Sequence, residues 1–510
     1  IVSENSMKLP GVQIKLTTVR NYPDGTLLPH ILGTIGSISA DEWKTLQNKG
    51  YAYSDRIRKS GIEQKFENLL HGKRGEKIVS LTGKGNVASE TVTSAPHPGD
   101  TVYLTIDSKL QKVLDTSLSK NIAATRSYGQ KLCAEHYKGS ARGHGEECVA
   151  GGAAVLRVSD FAVLAASTCP TFDENKYLSD PSYYNELLQD KSKPLINRAF
   201  NGIFTPGSIV KPYVALTALQ ERAITTSTRI LGNSKYMRFA DVGLPLGSIG
   251  NYGMITANYA IEKSSNAFFY EVGYRTGISM LNLYAPRFGL GTKTGIELNE
   301  NAGILAGPKE RSASGGSWWD ADTCEAAVGQ SDNQFTPLQL ATYVATVANN
   351  GTRMKTHLVD KVTDYARDKV ISETKPQKAD SIGVDPSYIN YVKAAMRSVA
   401  QAGTAASVFK NYGIAIGAKT GTAVLTPHSD NVTFIAFAPY DNPQIAVAVV
   451  LEHGATGKYC MSVAKDVLDA YFYGKAVDKN GNLVMPSASS QAAKKTASGS
   501  ASSSSSAAGR

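Results

Sequence analysis

The sequence predicts a mixed protein of α/β or α+β class whose main sheet draws strands from both ends of one long segment. Apolar runs of strand length lie early, at Ala153 to Val158 and Ala162 to Ala166. Others lie late, at Ile414 to Ala418, Val432 to Ala438 and Ile445 to Leu451. Stretches of helical character fill the interval, one beginning near Ser208 and running well past Leu219, others through 255–283, 336–350 and 386–402. Helices inserted between early and late strands place both sets of strands in one layer with helices packed against it.

The remaining elements follow in chain order. Val12 to Leu16 alternates apolar and polar residues at the period of a strand, and Tyr22-Pro23-Asp24-Gly25 is a turn signal. Asp41 through Asn48 reads as a short capped helix, so the first ninety-odd residues form short strands and turns with one helix. Pro96, Pro98 and Gly99 mark a boundary. Thr101 to Ile106 is then a strand leading into a helix from about Ser108 to Ser119, and a Gly- and His-bearing loop spans Cys133 to Glu147. From Ser487 onward the chain is nearly all Ser, Ala, Lys and Gly, which buries too little apolar surface to offset chain entropy.

Composition narrows the function classes. At 510 residues the chain exceeds one ordinary core and predicts two or three domains. With 42% hydrophobic and 19% charged residues it is a globular sequence. The net charge of +10 is spread along the chain instead of forming a basic run, which gives no support to nucleic-acid binding. No stretch reaches the eighteen or so apolar residues of a membrane span. The first residue is Ile1 and no leader-like segment precedes the folded part, so the sequence is expected to begin inside a longer protein. Five cysteines, an odd number, argue against a disulfide-built scaffold.

Three short motifs carry chemistry. In Thr205-Pro206-Gly207-Ser208-Ile209-Val210-Lys211, a serine and a lysine three apart share one helix face. Burial would lower the lysine pKa enough for it to take the serine proton, and the helix N-terminus favours developing negative charge there. Alone, the pattern is far more often a serine cap beside an exposed lysine. In Ser264-Ser265-Asn266, a hydroxyl and a carboxamide two apart point into one cleft from a junction between helices, although they too serve as helix caps. Lys419-Thr420-Gly421-Thr422 reads as a strand whose glycine lets a ligand approach the backbone and whose lysine and hydroxyls suit a carboxylate. Lys293-Thr294-Gly295 repeats the tripeptide without an apolar strand before it, too close to Asn266 for the helices that should intervene.

Taken in order, Ser-x-x-Lys, Ser-x-Asn and Lys-Thr-Gly form the set shared by penicillin-binding proteins and serine β-lactamases. The chain resembles a class B penicillin-binding protein, the monofunctional peptidoglycan D,D-transpeptidase type. Arg20-Asn21-Tyr22-Pro23, Ser60-Gly61-Ile62-Glu63, Leu70-His71-Gly72-Lys73-Arg74-Gly75 and Leu104-Thr105-Ile106-Asp107 resemble the family's pedestal and its junction with the catalytic domain. Gly329-Gln330 and Thr336-Pro337-Leu338-Gln339 resemble further signatures within that domain. The resemblance implies an α+β transpeptidase domain, an antiparallel sheet flanked by helices, over 99–475. It implies an incomplete, mostly β, dimerisation-like pedestal over 1–98, with 476–510 as a Ser/Ala-rich tail.

It also implies roles. Ser208 would attack the D-alanyl-D-alanine bond of a stem peptide, with Lys211 as base and with Ser264 and Lys419 passing the proton to the leaving group. Asn266, Thr420, Gly421 and Thr422 would hold the substrate, and Ser208 and Thr422 N–H groups would form an oxyanion hole. β-Lactams would acylate the same serine. Catalysis would require no cofactor. The partners implied are peptidoglycan, a glycosyltransferase and cell-elongation or division proteins, at the extracytoplasmic membrane face. A serine β-lactamase would need a deacylating carboxylate, and Glu186, Glu297 and Glu300 are poorly placed for one. A D,D-carboxypeptidase and a non-catalytic β-lactam sensor are the other readings, the latter at odds with an intact five-residue set.

Two features depart from the family pattern. Ile209 and Val210 replace the more usual Thr and Phe, and Cys169 sits where an aromatic residue is common. The loop with Cys133, His136, His144 and Cys148 has spacing that fits a structural zinc, a Cys133–Cys148 disulfide, or free thiols.

Overall fold

The computed structural model describes residues 20–486, apart from 50, 84–86, 141, 237, 240–245 and 249. Val12 to Leu16 and the stretch from Ser487 to Arg510 lie outside the described residues. The chain divides into two compact units.

The smaller unit takes Ile1–Leu104 together with two later pieces, Phe172–Leu187 and Val359–Thr374. Ser39 and Glu42 form a reciprocal capping box, with Ser39 N–H donating to Glu42 Oε2 at 2.7 Å, and so start the helix Ala40–Leu46. Two further short helices, Gly61–Lys65 and Glu67–Leu70, stand where only strands and turns are predicted. They form around charge: Arg58, just before them, reaches Glu63 at 2.5 Å and Glu67 at 3.1 Å, so polar residues without apolar periodicity are fixed by ion pairs. Thr101–Leu104 pairs with the inserted strand Val359–Thr363, which pairs in turn with Val370–Glu373.

The larger unit holds the five-stranded sheet. Its first helix, α1 (Ser108–Glu135), is capped by Asp107, which accepts from Lys109 and Leu110 N–H at 2.8 and 3.1 Å. The helix continues well beyond Ser119. Polar residues past that point are absorbed because Asn121 and Thr125 bond back to carbonyls four residues earlier, at 2.8 and 2.7 Å. The loop predicted from Cys133 therefore begins only at His136.

Strands β1 (Gly151–Arg157) and β2 (Val163–Cys169) follow, then α2 (Lys211–Gln220), α3 (Ala257–Lys263) and α4 (Asn266–Thr276). α2 stops sooner than its apolar run predicts. Arg222 turns left-handed at φ 60°, and the hydroxyls of Thr225 to Thr228 bond to one another and to the Thr225 N–H. After α5 (Pro337–Ala348) and α6 (Pro386–Gln401) come β3 (Gly417–Ala423), β4 (Asn431–Ala438), β5 (Ile445–Leu451) and α7 (Lys458–Tyr473). β3 begins three residues later than predicted because Gly417 is the first residue opposite β4.

The spatial order is β3-β4-β5-β1-β2, antiparallel throughout, so strands from both ends of the segment do share one sheet. α1 and α7 cover one side of it while α5 packs on β1, β4 and β5. With both faces covered, β4 and β5 are buried along their whole length, which is why they read as continuous apolar runs without alternation. After α7, Ala476–Val477 pairs with Leu483–Val484. The first residues of the segment assigned to the tail are thus a hairpin, although they lack a strand-like pattern.

Phe434, fully buried in β4, stacks on Phe409 with rings 5.6 Å apart. Phe434→Ala is expected to lower the unfolding free energy by about 3–5 kcal/mol in a urea titration, because the sheet cannot close over the cavity. A loss below about 1 kcal/mol contradicts this packing.

Candidate active site

Gly207–Val210 forms a single 3₁₀ turn that runs directly into α2 at Lys211. Residues three apart eclipse one another in such a turn, so Ser208 and Lys211 lie on one face, as the motif predicts. Gly207 has φ +61°, and a β-carbon there would strike the Thr422 backbone. Its missing side chain lets the serine turn rest on β3. Gly207 N–H also donates to Gly329 O at 2.9 Å, and Thr433 Oγ1 donates to Pro206 O at 2.7 Å. Tyr343, fully buried, braces the same turn by donating to Ile209 O at 3.2 Å.

Ser264, Ser265 and Asn266 form the junction between α3 and α4. Ser264 ends α3 in the left-handed region at φ 59°, costly for a residue with a β-carbon and typical of functional sites. Ser265 is the N-cap of α4, accepting from Phe268 N–H, and is fully buried. The capping role and the site role therefore fall on different residues of the motif.

Lys211 and Lys419 meet at this junction, both with no exposed surface. Lys211 Nζ lies 2.7 Å from Ser264 O, 2.7 Å from Asn266 Oδ1 and 3.3 Å from Ser264 Oγ. Lys419 Nζ donates to Ser264 Oγ at 2.9 Å and to Thr420 O at 2.8 Å. Burial first, and then the charge of Lys419, hold Lys211 well below the ordinary lysine range. Burial pushes Lys419 down to about 7. A neutral Lys211 has two N–H bonds, which the Ser264 and Asn266 oxygens take, leaving its lone pair free to accept a proton. The amine also sits 5.6 Å over the Phe269 ring.

β3 is an edge strand, so among the described residues one side of Lys419-Thr420-Gly421-Thr422 has no strand partner. An extended peptide can add there as a further strand. Gly421 also has a use beyond the predicted one: a β-carbon on it would strike Pro206 O, Ile209 and Thr433 Oγ1, so its missing side chain admits the serine turn. Thr420 Oγ1 lies 2.6 Å from Thr404 Oγ1, a contact no motif announces.

Other candidates fall outside the cluster. Thr294, buried in the duplicate Lys-Thr-Gly, gives its N–H and hydroxyl to Glu300 at 3.0 and 2.8 Å, and Gly295 N–H donates to Glu300 at 2.8 Å. Glu297 accepts from Leu358 N–H at 2.8 Å, and Glu186 belongs to the smaller unit. Glu297 and Glu300 are accounted for without a deacylating role.

Of the three readings of the Cys/His loop, the structure has the free thiols. All five cysteines are free thiols, so no Cys133–Cys148 bridge forms. Nor do Cys133, His136, His144 and Cys148 converge on one point among the described residues. α1 carries Cys133 on its last turn, His136 lies beside Glu135 at 3.9 Å, His144 stacks on Tyr137 at 3.8 Å, and Cys148 is completely buried.

Comparison with known proteins agrees with this architecture. Residues 151–471 match the penicillin binding protein transpeptidase domain, and residues 1–104 match the penicillin-binding protein dimerisation domain. The chain is 30% identical over 523 residues to peptidoglycan D,D-transpeptidase MrdA of Escherichia coli K12, covering 96% of this chain and 76% of MrdA. Its fold is similar to the crystal structure of Pseudomonas aeruginosa PBP2 in complex with WCK 5153, with TM-score 0.73 and 28% identity over 91% of this chain and 92% of that one. It is also similar to Helicobacter pylori PBP2 in complex with MreC, with TM-score 0.72 and 25% identity over 88% and 78%. A serine turn laid on an edge strand, two buried lysines sharing one hydroxyl, and these matches over nearly the whole length make this chain a member of the penicillin-binding protein transpeptidase family.

Proposed function

We propose that the chain is a peptidoglycan D,D-transpeptidase that cross-links stem peptides through an acyl-enzyme on Ser208. The observation that carries this reading is the fully buried Lys211 amine, one turn from Ser208 and hydrogen-bonded to Ser264 O and Asn266 Oδ1.

The donor peptide adds along the open edge of β3, its terminal carboxylate held by Thr420 and Thr422 hydroxyls and the Lys419 ammonium, and its amide by Asn266. Lys211 takes the Ser208 proton as Oγ attacks the penultimate D-alanyl carbonyl. Ser208 and Thr422 N–H groups stabilise the tetrahedral oxyanion, a donor of this kind being worth about 3–4 kcal/mol. When the C–N bond breaks, the proton passes from Lys211 through Ser264 Oγ to the leaving D-alanine nitrogen. Lys419, bonded to the same hydroxyl, fixes its orientation. The amine of a second stem peptide then attacks the ester, the proton retraces its path, and Ser208 is released with a new peptide bond formed.

A β-lactam offers the same carboxylate and amide but keeps its leaving group tethered, so the acyl-enzyme persists. The substrate polymer places the protein at the extracytoplasmic face of the bacterial membrane. Its partners are cell-elongation or division proteins, together with a glycosyltransferase that supplies uncross-linked strands; the similar Helicobacter pylori PBP2 is solved in complex with MreC.

Incubation with benzylpenicillin is expected to add one penicilloyl mass to the intact protein and none to Ser208→Ala; an adduct on the variant contradicts the assignment. Lys211→Met is expected to slow acylation by about 10²–10⁴-fold in stopped-flow measurements, and near-wild-type rates rule out its role as base. Nitrocefin is expected to give one slowly cleared acyl-enzyme; many fast turnovers indicate a β-lactamase instead.

A further inference from the structure

Three segments far apart in sequence meet beside the connection that follows β3. They are the loop ending at Cys148, the β3–β4 connection, and the residues after β5. The first supplies Glu147, the second His428 and the third His453. A carboxylate oxygen and one ring nitrogen from each histidine lie within 4.8 Å of one another. Sequence spacing does not reveal this group, whereas it does bring out Cys133, His136, His144 and Cys148, which form no such group among the described residues.

The surroundings are built to hold these side chains. Ser429, fully buried, donates its N–H to Glu147 Oε2 at 2.7 Å and accepts from Gly145 N–H through its hydroxyl at 2.8 Å. Gly143 N–H donates to Pro427 O at 3.0 Å, joining the first two segments through backbone. His453 N–H donates to Asn431 Oδ1 at 3.0 Å, and Ala455 N–H to Asp430 O at 3.0 Å, joining the third.

The His453 ring is oriented as in metal sites. Its Nδ1 lies 3.0 Å from the Ser429 carbonyl. A carbonyl only accepts, so Nδ1 carries the proton and Nε2 presents a lone pair, the arrangement that fixes tautomer and direction in ligating histidines. Glu147 keeps Oε1 for the cluster, 2.9 Å from His428 Nδ1, while Oε2 is occupied by Ser429.

We propose that Glu147, His428 and His453 bind one divalent first-row transition ion, zinc in preference, with a fourth position left for water. Two imidazoles and a carboxylate select zinc over the hard cations calcium and magnesium. Bonds of about 2.0–2.1 Å in a tetrahedron put ligand atoms about 3.3 Å apart, between the 2.9 Å contact and the 4.8 Å limit seen here. The ion clamps the β3–β4 connection, and so the end of the strand carrying Lys419 to Thr422, onto the two flanking loops. This site is separate from Ser208 and holds whether or not the transpeptidase reading does.

The test is metal content and affinity. Full-length protein is stripped with EDTA and dialysed against zinc buffers, and bound zinc is counted by mass spectrometry and titrated calorimetrically. One zinc per chain is expected for the wild type and for the Cys133→Ser/Cys148→Ser protein. Glu147→Gln and His428→Asn/His453→Asn, each with cooperative thermal unfolding, are expected to bind at least tenfold more weakly. Cobalt substitution is expected to give visible tetrahedral bands without a thiolate charge-transfer band. The proposal is overturned if the histidine variant binds zinc as the wild type does, if wild type binds none, or if loss follows the cysteine variant.

Discussion

Two lysine amines are buried within reach of one serine hydroxyl, and the rest of the site is arranged around that constraint. Two ammonium groups brought together out of water repel each other and lose hydration, so the protein cannot hold both charged. Lys211 yields first because Lys419 adds its charge to the desolvation that both suffer. Lys419 is pushed only to about 7 and keeps the carbonyl of Thr420 as an acceptor. In the proposed mechanism the pair serves as one base and one acid joined by Ser264, so that a proton moves only a short way in either direction.

Holding the pair requires a rigid frame, and the fold supplies one. α2 brings Lys211, the left-handed Ser264 ends α3, and β3 brings Lys419 into the same space. The serine turn is fixed against β3 by absent β-carbons at Gly207 and Gly421 and by the Thr433 hydrogen bond to Pro206. β4, buried along its length, sets the register of β3: Lys419 stands opposite Ile435 and Gly421 opposite Thr433. A one-residue slip would turn Lys419 out of the pocket. The sheet acts on catalysis through that register.

The reacting residues are legible in the sequence because the chemistry needs fixed types at fixed local spacing. Ser208 with Lys211 and Ser264 with Asn266 each fall within one turn, and the apolar strand around it and its distance from Asn266 separate Lys419 from its duplicate at Lys293. The long buried strands are legible too, since both faces of β4 and β5 demand apolar residues. What escapes the sequence is non-local. Thr404, Thr433 and Tyr343 each support the site through a contact whose partner lies far along the chain or in another element. α1 outruns its predicted end because polar side chains satisfy themselves on its own carbonyls, and α2 falls short because a run of hydroxyls does the opposite. The Cys/His loop draws attention by spacing alone, while the histidines that converge with Glu147 come from other segments.

The central claim is that Lys211 is neutral in the resting protein at physiological pH, and the pH dependence of benzylpenicillin acylation tests it most directly. An ordinary lysine titrates near about 10.4, so acylation through it would climb about tenfold per pH unit through pH 9. A base whose pKa is lowered by burial and by Lys419 is already deprotonated there. The second-order acylation rate is therefore expected not to rise between pH 8 and 9.5, where Lys419 loses its proton as well, and to fall toward acid as Lys211 takes a proton. A rate that keeps rising tenfold per unit toward pH 10 contradicts the account.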